Sequence, residues 1–214
     1  MFELGIKILA AYLLGALIGS LIVGQLRGGV DIRTMGSGNA GGTNALRTQG
    51  PWFAACVMLI DIGKGWIAAA LLPSFQASWL QFDPRIDRTW LAVACSIAVV
   101  VGHVYPVWYG FRGGKGAATL IGVLIGLKPE AVVPALCVWL VTVMLCGYVG
   151  LATMLAVASF AIYLLVTQQP PDAALLTFAV LMAIFVLYTH RANVARMRAG
   201  TENRLQRLWL LRPR

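Results

Sequence analysis

Apolar residues along this chain gather in long blocks, with the polar residues collected between them. The blocks cover residues 5–23, 52–72, 90–109, 117–128, 131–147, 149–167 and 173–189. A bilayer-crossing helix needs roughly 20 apolar residues, and most of the blocks meet that length. The pattern predicts an all-α, polytopic integral membrane protein of about seven transmembrane helices, organised as a single domain over residues 1–214. The block at 117–128 is short. It starts within the glycine-rich stretch before it or is sheltered by its neighbours, and six spans with a re-entrant segment is the rival arrangement. The first block lacks a basic leader and an A-x-A cleavage pattern, so it reads as a retained helix rather than a signal peptide.

Composition strengthens the membrane reading. Of 214 residues, 59% are hydrophobic and 12% charged, and the mean hydropathy is +0.79. Soluble domains carry about 25% charged residues, so the excess of apolar side chains exceeds what a larger core would use. Cys56, Cys95, Cys137 and Cys146 all fall in apolar blocks and form no CxxC or Cys/His cluster. They read as small hydrophobes in helix packing.

Charge then orients the spans. The loop 24–50, the turn 110–116 and the tail 190–214 carry Arg27, Arg33, Arg47, Arg112, Lys115, Arg191, Arg196, Arg198, Arg204, Arg207, Arg212 and Arg214. The alternate loops hold Lys7, Arg85, Arg88 and Lys128, and Lys64 lies within a span. Cations accumulate on the cytoplasmic side, which predicts an external N-terminus and a cytoplasmic C-terminus. Part of the net charge of +9 is therefore a topology signal rather than a nucleic-acid footprint. The tail "RLQRLWLLRPR" reads either as a stretch lying on anionic lipid or as a plain basic flank.

Three polar islands fall on that one predicted face. The first, "DIRTMGSGNAGGTNALR" (31–47), sets Gly36, Gly38, Gly41 and Gly42 among Ser37, Asn39, Thr43 and Asn44, with Arg33 and Arg47 at its ends. Closely spaced glycines let backbone N–H groups converge on an oxyanion, and two arginines could close bidentate on phosphate. The second, "GFRGGKGAAT" (110–119), places Gly113, Gly114, Lys115 and Gly116 at a helix start, where the dipole favours negative charge. It lacks the spacing and the preceding strand of a Walker loop. His103, just upstream, reads as a helix-packing hydrogen bonder. The third, "HRANVARMRAGTE" (190–202), puts His190 and Asn193 three apart on one helix face, with Glu202 as the only acid among seven arginines. Glu202 reads as an arginine partner that fixes the tail. Asp61 and Lys64, three apart inside a span, read as a mutually neutralising structural pair.

These islands suit a pocket for phosphate-bearing groups at a membrane surface. Two classes remain at this point: a transferase and an anion permease. Permease sites lie near the midplane, whereas these residues sit at one edge, which favours the enzyme. No G-x-S-x-G elbow occurs, and neither histidine is followed by Asp five residues on. No metal site and no cofactor are expected. Such a reaction depends on positioning and charge stabilisation.

Together, "GSGNAGGTN", "GHVYPVWYGFRGGKGAAT" and "HRANVARMRAGTE" resemble the three motifs of the bacterial acyl-phosphate:glycerol-3-phosphate acyltransferase family, in order and across essentially the whole chain. The resemblance implies a seven-helix inner-membrane enzyme with a cytoplasmic active site. It would transfer a fatty acyl group from acyl phosphate to the 1-hydroxyl of sn-glycerol 3-phosphate, giving lysophosphatidic acid and phosphate without an acyl-enzyme. Donation by acyl-CoA or acyl carrier protein is the alternative. Motif by motif, the resemblance assigns Ser37, Arg33 and Arg47 to phosphate and the anhydride. It assigns Gly113, Gly114, Lys115 and Gly116 to glycerol phosphate, His190 and Asn193 to activity, and Glu202 to structure. The chain departs from the family pattern at Leu21-Ile22, at Gly41-Gly42-Thr43-Asn44 and at Gly150, where family members often carry serine.

Overall fold

A computed structural model describes residues 2–206 and 208–211; Arg207, Arg212 and Arg214, counted in the charge argument, lie outside the described residues. Ten α-helices occur among them, with no strand beyond an isolated bridge between Ala77 and Leu80. The chain divides into two compact units, the first ending at Pro129 and the second starting at Glu130.

The first unit contains α1 (Phe2–Gly15), α2 (Gly19–Leu26), α3 (Gly42–Gln49), α4 (Pro51–Trp66), α5 (Arg88–Val104) and α6 (Ala117–Leu127). Pro51 opens α4 at a position where its missing N–H costs nothing, and α4 runs on through a π turn to Leu71. Asp87 caps α5 by accepting from the Trp90 amide at 3.0 Å. α4 and α6 cross closely because Gly65 and Gly122 present no Cβ; one added at either would overlap the backbone of the facing helix.

The predicted first span is broken. α1 and α2 are bent by 50° across residues 16–18, and side chains of α4 satisfy the exposed backbone. Asp61 Oδ1 accepts from the Gly19 amide at 3.1 Å, and Lys64 Nζ donates to the Leu17 carbonyl at 2.8 Å. Asp61 and Lys64 form an ion pair at 2.8 Å, so the pair inside the span does neutralise itself and also stabilises the break. At the other end of α1, Lys7 and Glu3 are buried and paired at 2.8 Å. Arg88 joins Glu3 from the start of α5, and Lys7 also donates to the Pro73 carbonyl at 2.8 Å.

The second unit contains α7 (Val132–Cys146), α8 (Val149–Thr167), α9 (Ala173–Thr189) and α10 (Arg191–Arg198), the last two bent by 54°. α8 and α9 start and stop where the apolar pattern places them. Gly147, in the left-handed region at φ 77, turns α7 into α8.

Each of the seven apolar blocks becomes helical, in segments of unequal length. Among the described residues, four helical segments are long and apolar enough to cross a membrane: Pro51–Ser74, Arg88–Tyr109, Pro129–Cys146 and Val149–Thr167. Counting each bent pair as one span raises the number to six. The remaining apolar block forms α6, whose 11 residues extend about 16 Å, roughly half the thickness of a bilayer core.

Candidate functional site

The first two islands meet in the first unit. The first-island loop turns on Asn44, which is 2% exposed. Its Nδ2 donates to the carbonyls of Ile32 (2.9 Å), Met35 (3.0 Å) and Asn39 (3.0 Å), while its Oδ1 accepts from the Ser37 amide at 3.0 Å. Both ends of the amide are thus committed to the loop. Asn44 therefore organises the loop. Gly36 sits at φ 57, and a Cβ there would overlap Asn44 Oδ1. Ser20 ties the loop to α2 by donating to the Ala40 carbonyl at 2.7 Å.

Arg33 is engaged within the site as well. Its Nε and Nη2 bind Asp31 side-on, at 3.0 and 2.7 Å, and its Nη1 donates to the carbonyls of Arg112 (2.9 Å) and Tyr109 (3.3 Å). A guanidinium offers five N–H groups, so Arg33 lacks the two parallel donors needed for a bidentate grip on phosphate. It staples the first island to the second. The Arg33 guanidinium holds the Asp31 carboxyl below its usual range, and Asp31 in turn raises Arg33.

A cavity of about 560 Å³ opens at this junction, lined by Asp31, Arg33, Thr34, Gly38, Tyr109, Arg112 and Gly113. Arg112 is exposed at its rim, and Tyr109 stacks on Arg33 with 5.9 Å between the guanidinium carbon and the ring centre. Neither was singled out from the sequence for the site. The basic residue within "FRGGKG" was a readable signal for Arg112, whereas Tyr109 carried none. Ser37, Thr43 and Arg47 are exposed on or beside the loop, and Lys115 is half-buried in the second island.

The second-island turn is strained and tightly bonded. Gly110 and Phe111 are consecutive left-handed residues, at φ 62 and φ 59, and the Phe111 amide donates to the Pro106 carbonyl at 2.9 Å. The Gly113 amide donates to the Val104 carbonyl and the Gly114 amide to the His103 carbonyl, each at 3.1 Å. These two N–H groups are therefore used internally, and the glycines contribute the absence of a side chain. Likewise, the Ser37 and Gly38 amides serve Asn44 Oδ1 and the Met35 carbonyl.

The donors left for an anion come one step later. α3 begins after Gly41 and α6 after Gly116, and neither helix has a side-chain cap. The first intrahelical bonds are those of Asn44 and Ala45 to the Gly41 carbonyl, and of Leu120 to the Gly116 carbonyl. The leading amides of Gly42 and Thr43, and those of Ala117 and Ala118, precede them. Each N-terminus carries a partial positive charge.

The third island belongs to the second unit. His190 caps the bend between α9 and α10 and is 4% exposed. Its Nδ1 lies 2.9 Å from the Val186 carbonyl, which can only accept, so that nitrogen carries the ring proton. Asn193 Nδ2 donates to Glu202 Oε1 at 2.6 Å, and Arg196 Nε to Glu202 Oε2 at 2.6 Å. Glu202 thus joins Arg196 and Asn193 through its two carboxylate oxygens. Gly150 packs here: a Cβ would approach the Asn193 side chain to 3.0–3.1 Å. The backbone of the tail beyond is docked on the α7–α8 turn, with the side chains of Leu208, Leu210 and Leu211 exposed. Leu205 and Leu210 donate to the carbonyls of Gly147 (2.8 Å) and Met144 (3.0 Å), and Arg204 stacks on both Tyr148 and Trp209.

The chain is similar to known proteins along most of its length. The family model described as glycerol-3-phosphate acyltransferase matches residues 5–200. Relatives named glycerol-3-phosphate acyltransferase include one from Chlorobaculum tepidum, 39% identical and covering 92% of this chain and 94% of its own length. Another, from Halalkalibacterium halodurans, is 40% identical over 96% and 97%. Crystal structures of PlsY (YgiH), an integral membrane glycerol 3-phosphate acyltransferase, superpose with a TM-score of 0.82 in two forms. The glycerol 3-phosphate form is 33% identical over 94% of this chain and 95% of that one. The lysophosphatidic acid form is 32% identical over 97% and 98%. With enzyme thus decided over permease, the chain belongs to the glycerol-3-phosphate acyltransferase family of integral membrane proteins.

Proposed function

We propose that the protein transfers a fatty acyl group from acyl phosphate to the 1-hydroxyl of sn-glycerol 3-phosphate, at the cytoplasmic face of a bacterial inner membrane. One observation carries this reading. Two glycine-led loops, each opening an uncapped helix N-terminus, are stapled by Arg33 around one cavity bearing Arg112, with Lys115 in the second loop. Such ends bind phosphate groups, and both proposed substrates carry one. Relatives crystallised in glycerol 3-phosphate and lysophosphatidic acid forms supply the acceptor and the product. The face assignment rests on the excess of Lys and Arg in the loops that carry the three motifs.

Acyl phosphate is a mixed anhydride, already activated. The 1-hydroxyl oxygen bonds to the acyl carbon, and the bond from that carbon to the bridging phosphate oxygen breaks. The hydroxyl proton passes to an oxygen of the departing phosphate, leaving lysophosphatidic acid and inorganic phosphate. Lys115, Arg47 and the leading amides of α3 and α6 stabilise the charge, with the Ser37 and Thr43 hydroxyls as further donors. Gly36, Gly38, Asn39 and Asn44 shape the first loop, and Gly113, Gly114 and Gly116 the second. His190 and Asn193, in the second unit, orient groups and take no proton.

The test supplies purified protein with glycerol 3-phosphate and either palmitoyl phosphate or palmitoyl-CoA, alongside a Lys115→Ala variant. Lysophosphatidic acid and phosphate formed only with palmitoyl phosphate, and lost in the variant, is the expected result. Product from palmitoyl-CoA or from acyl carrier protein, and none from palmitoyl phosphate, overturns the donor assignment.

A further inference from the structure

Beneath both loops lies a buried cluster that the reaction as described does not use. Lys64 Nζ has three protons and three acceptors: Asp61 Oδ1 at 2.8 Å, the Leu17 carbonyl at 2.8 Å and His103 Nδ1 at 2.9 Å. Asp61, Lys64 and His103 are each at most 3% exposed. With an ammonium donating to Nδ1, the His103 ring carries its own proton on Nε2.

The cluster reaches the two loops by separate routes. Toward the first, Asp61 accepts from the Gly19 amide and so fixes the start of α2, where the next residue, Ser20, bonds the Ala40 carbonyl. Toward the second, the His103 carbonyl accepts from the Gly114 amide, and a Cβ on Gly114 would overlap His103 Nε2. Gly114 lies outside the left-handed region, so its need for glycine is steric and set by that ring. Lys115 follows directly.

We propose that Asp61, Lys64 and His103 are positioning residues that set the two substrate loops relative to each other, with the His103 ring as the seat of Gly114 and, through it, of Lys115. The proposal rests on the phosphate-cradle reading of the loops. Asp61 Oδ1 and Lys64 pair their charges, while Asp61 Oδ2 is buried without a hydrogen-bond partner, and a loop seated on the His103 ring inherits the position of that ring. A displacement of about 1 Å at a reacting group costs on the order of 100-fold in rate.

A double-mutant cycle tests this. Gly114→Ala is made in the wild-type chain, in His103→Asn, which trims the seat, and in Asp61→Asn/Lys64→Met, which releases the ring while leaving no unpaired buried charge. Acyl transfer to glycerol 3-phosphate is measured on protein that elutes as a folded species. Gly114→Ala is expected to lower kcat/KM at least about 30-fold in the wild type and less than about threefold in either relieved background. His103→Asn itself lowers kcat more than it raises the KM for glycerol 3-phosphate. Recovery of folded Gly114→Ala protein only when His103 is trimmed also supports the seat. Equal fold losses in all backgrounds overturn it, because a glycine required for direct contact with substrate gains nothing from a smaller neighbour. The readout is a ratio taken with whichever acyl donor the wild type uses. An error in the donor assignment changes the rates but leaves the coupling intact.

Discussion

Replacing Asn44 distinguishes a residue that builds the cradle from one that touches the substrate. Its side chain shares two Nδ2 protons among three carbonyls and accepts one proton from the Ser37 amide, so three protons are at stake. At about 1 kcal/mol net per hydrogen bond, Asn44→Ala removes roughly 3 kcal/mol from the ordered loop. That is up to about 100-fold in the population that can bind and react. Asn44→Asp keeps the acceptor for Ser37 but turns an oxygen toward three carbonyls, and it should be at least as damaging. Initial rates with glycerol 3-phosphate, paired with amide hydrogen exchange across residues 32–45, make the assay. The amides of Ser37 and Gly38 should lose protection before substrate is added, with kcat/KM falling in step. Wild-type protection in Asn44→Ala, combined with a loss confined to the KM, would refute the organising role.

Arg33→Lys retains the charge but cannot span Asp31 and the carbonyls of Tyr109 and Arg112 together; kcat/KM should fall about tenfold or more, in kcat as well as KM, whereas a simple charge role predicts near-normal rates. Because the Asp31 carboxyl is held below its usual value, its contribution is complete above the unfolded value of about 3.9 and disappears as pH falls through the folded one. Stability between pH 5 and 8 should therefore be unchanged in shape by Asp31→Asn, which instead removes part of the acid-side loss seen in unfolding profiles. His190→Gln tests the proton path: near-normal turnover is expected if donor phosphate takes the proton, and a loss of several orders of magnitude assigns the histidine as base. Glu202→Ala leaves Arg196 and Asn193 without their shared partner and should cost about 1–3 kcal/mol, read as a lower melting temperature, with Glu202→Gln recovering part of it.

Helix positions were legible because a bilayer imposes one requirement along an entire block. α8 and α9 therefore coincide with their apolar runs. The break at residues 16–18 was not legible, since Gly15-Ala16-Leu17-Ile18-Gly19 is uninterrupted apolar sequence and its satisfying groups, Asp61 and Lys64, come from over 40 residues away. Polar residues of a glycine-rich loop presented a different ambiguity. Asn44 and Arg33 carry the donors that a phosphate needs, and those same donors close a loop on itself. Composition cannot tell the two apart, and only the position of neighbouring carbonyls does. Glu202 was legible because one acid among many arginines has few alternatives. Gly147, which receives the tail, gave no sign of it.

In the proposed reaction, the first unit's two loops hold the reacting phosphates. A structure determined with a non-hydrolysable acyl phosphonate and glycerol 3-phosphate tests it most directly. Phosphonate oxygens are expected about 3 Å from the leading amides of α3 or α6, within reach of Lys115. Phosphonate bound elsewhere, with those amides still facing water, would contradict it.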